Sequence, residues 1–453
     1  MNTSLWADQA NLGPIHPALD ENLETEICIV GAGFTGLWTA YWLTELNPNL
    51  AITVLEAKYV GFGASGRNGG WLSALFPSDM DKIAKLSNPE SAVALQREMN
   101  ANVVRCGDVI QKLNIDCGWS YSGSLNIARN EAQLHRANAE IEYWRRWNFS
   151  EDDYLFLNRK DFEEKYKVTK QLGAVFTPHC ARVQPAKLVK GLAQELSKRG
   201  VKIFENTPVT EILERKVKTT NYEVSAQWII RATEAYTSRF KKFARDVIPV
   251  YSLMIATEPL PQEVWDEIGI AGETFADLRH LLIYGQRTAD NRFAFGGRGA
   301  PYHFGSRISP ELDLNPKVHQ EIRKVLDDLF PMIKPFKTTH TWGGPLGIPR
   351  DWYARVEIDE VKGFAAGGSY VGDGVGTSAL AGLTIAERIC KVDSHRQALP
   401  WINLKKKLWE PEPIRWIGAN VGLRVMGFAD VEENITKKPS LAAQAFSPFV
   451  GHV

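Results

Sequence analysis

Thr25-Glu26-Ile27-Cys28-Ile29-Val30-Gly31-Ala32-Gly33-Phe34-Thr35-Gly36 is the stretch that decides the fold. A lone glycine triplet of this spacing is a weak signal, but here both flanks have the required form. A β-type run precedes the glycines, and Leu37-Trp-Thr-Ala-Tyr-Trp-Leu43 follows with helical character. Asn47-Pro48-Asn49 breaks that helix, and the strand Ala51-Ile-Thr-Val-Leu55 ends on Glu56, twenty positions past Gly36. Gly31 is expected to allow the tight turn, Gly33 the approach of backbone to a pyrophosphate, and Gly36 the packing of helix on strand. The helix start offers free N–H groups and a positive dipole end to phosphates, and Glu56 offers an acceptor to ribose hydroxyls. The pattern implies a dinucleotide site rather than an ordinary glycine-rich turn.

At 453 residues the chain is long enough for about two or three domains. Its 53 basic and 53 acidic residues cancel, so no global field recruits nucleic acid or an anionic membrane. Cys28, Cys106, Cys117, Cys180 and Cys390 are odd in number and lack a CxxC pair. That argues against a disulfide framework or structural zinc and for a reducing compartment. The N-terminus lacks a basic-then-apolar leader, and no run of about 18 apolar residues suggests a transmembrane helix. A cytoplasmic location is the expectation.

No low-complexity linker or internal repeat stands out. Residues 1–24, with Pro14 and Pro17, read as an irregular arm. Asn88 with Pro89 signals a helix running to about Leu113. A second helix is expected over Glu131–Trp147, and a third from Pro185 to Arg199, followed by the strand Val201-Lys-Ile-Phe204. Gln227–Arg231 reads as a strand leading into Ala232-Thr233, and residues 246–300 alternate in strand fashion up to Phe293-Ala-Phe-Gly-Gly297.

Further glycine loops lengthen the expected ligand. Gly61-Phe-Gly-Ala-Ser-Gly-Arg-Asn-Gly-Gly70 suits a loop pressed against a long molecule. Gly200–Val209 places the Val209 backbone near an adenine edge, and Ala232-Thr233 is a strand end beside the cofactor. Gly367-Gly-Ser-Tyr-Val-Gly-Asp-Gly-Val-Gly-Thr-Ser378 feeds a long helix whose first amides suit a flavin pyrimidine, where negative charge develops on reduction. Asp373 in that loop reads as a loop-shaping residue.

In this order and spacing, the four motifs resemble the D-amino-acid-oxidase-type FAD-dependent oxidoreductase superfamily, in the branch that contains gamma-glutamylputrescine oxidase. The resemblance covers about residues 1–400. It implies an α/β (α+β) fold, a Rossmann-like FAD-binding domain interleaved with a substrate domain on a mixed or antiparallel β-sheet. The expected partition is an N-terminal arm (1–24), an FAD-binding domain (25–85, 175–245 and 338–399), a substrate domain (86–174 and 246–337) and a C-terminal helical extension (400–453). By position, Gly31, Gly33, Phe34, Thr35, Gly36, Glu56 and Ala57 are expected at the adenosine diphosphate, with Val209, Ala232 and Thr233 beside it. Ala64, Ser65, Arg67, Asn68, Gly69 and Gly70 are expected along the ribityl and flavin side. Gly372, Gly374, Val375, Gly376 and Thr377 are expected at the pyrimidine end. Sarcosine-oxidase relatives tether flavin through a cysteine; the comparable Thr338-Thr-His-Thr-Trp-Gly-Gly-Pro345 has none, so noncovalent FAD is expected, with His340 as the one alternative attachment point.

The resemblance further implies hydride transfer from a C–N bond of a primary or secondary amine to flavin N5. The resulting imine hydrolyses to a carbonyl, and O2 or another acceptor takes the electrons. Such a step needs an amine held, deprotonated and desolvated over the ring. Trp71, Tyr251, Tyr284, Arg298, His303 and Trp342 are the candidates for that pocket, each weighed against a core or surface role. A small-molecule amine is the expected partner, with self-association left open, and no metal site is expected. A flavin monooxygenase using NAD(P)H and a non-catalytic flavoprotein subunit stand as alternatives. In the extension, Ile414, Ile417, Val421 and Val425 share one helical face, suited to a membrane, a partner subunit or the chain's own domain.

Overall fold

The computed structural model describes residues 4–297 and 299–446. Among these residues the chain builds two eight-stranded sheets and a two-stranded ribbon. The first sheet runs in the order Arg355–Asp359, Phe364–Gly368, Glu223–Arg231, Leu23–Val30, Ile52–Leu55, Lys202–Phe204. Its pairs are parallel except at the Arg355–Asp359 edge, and Val209–Leu213 with Lys216–Thr219 extends Glu223–Arg231 as an antiparallel flap. Cys28, Ile29, Val54 and Ile229 are fully buried, as expected of parallel strands covered on both faces.

The fingerprint helix, Phe34–Leu46, starts at Gly33 and stops where Asn47 turns extended, with φ −146° and ψ 91°. Pro48 disfavours the helical conformation at the residue before it, which accounts for the stop. This helix crosses Gly374–Ile389 so closely that a Cβ on Gly382 would lie 2.7 Å from the Thr39 nitrogen. Trp38, Tyr41 and Leu43 are buried beneath that crossing. The helix Pro89–Lys112 begins as the sequence suggests, with the Asn88 side chain accepting from the Ser91 N–H at 2.7 Å.

The second sheet runs Thr338–Pro349, Val247–Thr257, Phe293–Gly297, Ile283–Arg287, Thr274–Asp277, Ser124–Ala128, Gly173–Thr177, Leu155–Asn158. It is antiparallel apart from the pairing of Thr274–Asp277 with Ser124–Ala128. Two sequence expectations differ here. The strand Thr338–Pro349 pairs along Val247–Thr257 within the antiparallel sheet before the chain returns to the parallel one. Gly173–Thr177 also belongs wholly to the antiparallel sheet.

The arm is not irregular throughout. Leu5–Ala10 is a helix capped by Ser4, with Leu5 and Trp6 buried. At the other end, Ile414–Thr436 is a helix that docks on the antiparallel domain, followed by Leu441–Phe446. None of the described helices is long and apolar enough to cross a membrane.

Candidate active site

The parallel strand Leu23–Val30 lies between Glu223–Arg231 and Ile52–Leu55, so its carboxyl end opens on the crevice where such sheets bind ligands. Gly31 turns there with φ +109°, and a Cβ would sit 2.5 Å from the Ala232 carbonyl oxygen. The Ala232 N–H donates to Val30 at 2.9 Å and the Gly31 N–H to Leu55 at 2.8 Å, which locks the two strand ends together. A Cβ on Gly36 would collide with the Gly31 carbonyl, so helix and turn touch with no room between. Glu56 ends its strand with its carboxylate accepting from the Ala32 N–H at 2.9 Å and the Lys58 N–H at 3.0 Å. Burial pushes its pKa up against those bonds. The Thr207 N–H donates to the Glu56 carbonyl, which brings the approach to Val209 alongside; Ala57 is exposed next to it.

The loop 61–70 is held carbonyl by carbonyl. Ser4 Oγ donates to Gly66 at 3.4 Å, Trp342 Nε1 to Arg67 at 2.9 Å and Trp6 Nε1 to Asn68 at 2.8 Å. Gln286 Nε2 donates to Gly69 at 2.6 Å and the Val183 N–H to Gly70 at 2.8 Å. Three parts of the chain therefore fix five consecutive carbonyls: the N-terminal helix, the antiparallel sheet and the segment before Pro185. Ser65 Oγ caps the fingerprint helix by accepting from the Phe34 N–H at 2.8 Å. Arg67 reaches across to Asp313 at 2.5 Å and lies over the Phe62 ring.

The third glycine loop closes the same space. Gly372 has φ +115°, and the Ser369 and Tyr370 N–H groups donate to the Glu234 carboxyl at 2.9 and 3.3 Å. Tyr370 and Thr35 join their hydroxyls at 3.0 Å, tying this loop to the fingerprint helix. At the helix start, the Asn102 side chain donates to the Gly376 carbonyl at 2.8 Å, and Thr377 Oγ1 donates to the Asp373 carbonyl at 2.6 Å.

Between the two loops lies a cavity of about 640 Å³. Ala64, Arg67, Asn68 and Gly69 form one wall, and Gly372, Asp373 and Val375 another. Trp71, Tyr284, Tyr143, Trp144 and Tyr154 give it an aromatic lining. Tyr284 shares a 2.8 Å hydroxyl bond with Ser252 and meets Trp71 edge to face. Trp144 and Tyr154 stack with centroids 3.9 Å apart. Glu140 stands among them beside Asn126; burial raises its pKa to about 7. Asp277 and Arg279 pair at 2.5 Å on the remaining side.

Residues 26–388 match the family described as DAO, FAD dependent oxidoreductase. The chain belongs to the DAO family. It is 30% identical over 400 residues to the gamma-glutamylputrescine oxidoreductase of Escherichia coli, covering 85% of this chain and 88% of that one. It is 29% identical to a probable oxidoreductase, OrdL, of Haemophilus influenzae, covering 94% of this chain and 97% of that one. Among solved folds, glycine oxidase from Bacillus cereus superposes with a TM-score of 0.64 at 21% identity, over 85% of this chain and all of that one. The L-amino acid deaminase from Proteus myxofaciens gives 0.69 at 14% identity, over 89% and 97%.

The residues present fit the FAD that this DAO-family fold uses. The turn at Gly31 leaves no room for a side chain, and Trp71 Nε1, set in the cavity wall, is a buried donor with no hydrogen-bond partner among the described residues. The six expected pocket residues divide. Trp71 and Tyr284 line the cavity. Trp342 is buried and directs its indole to the loop carbonyl of Arg67, so it clamps the loop rather than lining the cavity. Tyr251 is buried, with its hydroxyl at Ser309, and meets His303 edge to face away from the cavity. Burial beside Arg307 pushes the His303 pKa down. Arg298 lies outside the described residues. His340 turns to Thr339 Oγ1 and to Asp8, 3.6 Å away.

Sequence reasoning missed Arg136, Glu140, Tyr143 and Trp144. All four come from the cavity-facing side of the helix Glu131–Arg146, where the available signal was their three-to-four-residue spacing.

Proposed function

We propose that this DAO-family chain oxidises the C–N bond of a primary or secondary amine to an imine, which water hydrolyses to a carbonyl and a smaller amine or ammonia. The observation that carries this reading is Glu140, a carboxyl poised near neutrality within the aromatic wall of the cavity formed by the two flavin loops. Bound FAD supplies the hydride acceptor. The fingerprint turn with Glu56 would hold the adenosine diphosphate, and the loops at 64–70 and 372–377 would hold the ring system.

The remaining work belongs to side chains. An amine reaches the cavity as a cation, and the faces of Trp71, Tyr143, Trp144 and Tyr284 attract it while shedding its water. The Glu140 carboxylate accepts a hydrogen bond from the substrate nitrogen and then its proton, which frees the lone pair that drives loss of hydride from the adjacent carbon. Holding the amine in one pose converts an encounter into an intramolecular step.

None of the cysteines lines the cavity, and His340 is engaged with Thr339 and Asp8; both facts support noncovalent FAD. Acid precipitation is expected to release yellow flavin into the supernatant, and flavin retained in the pellet would contradict that attachment. Oxygen is the proposed acceptor. FAD-loaded protein incubated in air with a panel of primary and secondary amines is expected to yield carbonyl product and hydrogen peroxide in equal amounts. A product formed only when NADPH is added, or none from any amine, would overturn the reading.

A further inference from the structure

The helix Ile414–Thr436 carries two seams: one is packed on the domain, and among the described residues the other stays largely exposed, with Ile414, Ile417 and Val421 also rimming a cavity of about 710 Å³ shared with Ile248, Ile348 and Trp409. Its inward seam is made of Arg415, Gly422, Ala429 and Glu433, all buried. Polar anchors fix it: Glu433 pairs with Arg136, and Asp430 accepts from the His280 and Leu281 N–H groups at 2.7 and 2.9 Å. The outward seam is Ile414, Ile417, Val421, Phe428, Val431 and Ile435, whose exposures run from 43% to 76%. Their spacing of three and four residues is the a/d repeat of a coiled coil, with Arg424 filling the one position left over. The helix is about 34 Å long at 1.5 Å per residue, so the stripe spans more than four turns. Soluble proteins seldom leave a continuous apolar strip of that length uncovered.

We propose that this outward seam pairs with the same helix of a second copy of the chain, antiparallel, about a two-fold axis at Met426. That axis sets Ile417 against the partner's Ile435, Val421 against the partner's Val431 and Arg424 against the partner's Phe428. The one charged member of the seam then lies over an aromatic ring, with the partner's Glu432 a single turn further along, so the interruption becomes a cation–π contact and an ion pair. The arrangement is self-complementary, as a two-fold interface requires. Charge argues against a lipid surface as the occupant. The helix holds two arginines against Asp430, Glu432 and Glu433, whereas surface-seeking amphipathic helices carry a cationic polar face. The extension lies beyond the residues that match the family model.

Sedimentation of the FAD-loaded protein across micromolar concentrations is expected to show a dimer, and Phe428→Lys, which faces the partner's Arg424 with a like charge, a monomer that keeps its flavin absorbance and circular dichroism. The double variant Val421→Cys with Val431→Cys is expected to form a covalent dimer on mild oxidation, whereas Val421→Cys with Phe428→Cys does not. This second arm tests the register in a protein whose fold is not at issue. A wild-type monomer at every concentration overturns the proposal. So does a dimer that survives Phe428→Lys, cross-linking in the control pair, or flotation of the wild type with phosphatidylcholine–phosphatidylglycerol vesicles in place of dimerisation.

Discussion

Glu433 and Arg136 form a bidentate pair, with both N–O distances at 2.6 Å, between the C-terminal helix and the helix that walls the cavity between the glycine loops. His280 Nε2 lies 2.9 Å from the same carboxylate, so one acid outside the family-matched region organises three elements around the cavity. The Glu433 side chain is 1% exposed and that of Arg136 27%.

Glu433→Gln leaves a guanidinium in the cavity wall without its counter-charge. The expected loss is about 2–3 kcal/mol of unfolding free energy, toward the low end for buried pairs because Arg136 retains some water. Burial opposes the charge on Glu433, but Arg136 and His280 overcome it and hold the carboxyl at about 2, below the ordinary 4.5. Its contribution is therefore complete above about pH 4.5 and is lost as pH falls toward 2. Denaturant titrations are expected to show this decline in the wild type and its absence from that window in the variant.

Trp342→Phe removes the indole donor from the Arg67 carbonyl while keeping most of the packing. A buried carbonyl left unbonded costs about 1–3 kcal/mol. The loop loses definition rather than the pocket its shape, so FAD dissociation is expected to rise roughly tenfold. Fluorescence titration of the apoprotein with FAD measures it, and an unchanged affinity would remove Trp342 from the clamp.

Gly36→Ala places a methyl group against the Gly31 carbonyl and 3.1 Å from Ile29 Cγ2. Helix and turn must separate, which spoils the phosphate cradle before it reaches the rest of the core. The expected result is protein that purifies without bound flavin, with a far-ultraviolet spectrum close to the wild type.

Much of this architecture was legible. The Gly31–Gly36 turn with Glu56 is a local device whose steric demands are written in adjacent residues, and the strand ends meet as the motif requires. The glycine loops at 61–70 and 367–378 both contribute to the wall of one cavity. Trp342 was not legible as a clamp, because its position depends on strand Thr338–Pro349 pairing with Val247–Thr257, a long-range register that periodicity does not reveal. The helix Leu5–Ala10 escaped notice because six residues carry too little pattern, although Ser4 is a recognisable cap. Glu140 sat within an expected helix, but which face met the cavity was decided by tertiary packing.

Glu140 also sets a pH dependence. Burial raises it to about 7, so its carboxylate forms as pH climbs through neutrality, and amine binding is expected to tighten over that interval. The same shift means that ionisation costs folding stability as pH rises from about 4.5 to 7. Glu140→Gln is expected to raise KM roughly tenfold or more, by the loss of a charge-assisted hydrogen bond, and to flatten its pH profile. An unaltered profile would exclude the carboxyl from substrate binding.

The central claim is that an amine alone, held in the cavity between the loops at 64–70 and 372–377, reduces the flavin. Anaerobic mixing of FAD-loaded protein with an amine panel in a stopped-flow spectrometer tests it most directly. The expected result is bleaching of the flavin band by at least one amine without any nicotinamide, slowed when the hydrogen on the carbon next to nitrogen is replaced by deuterium. Bleaching by NADPH alone, or by no amine at all, would contradict it.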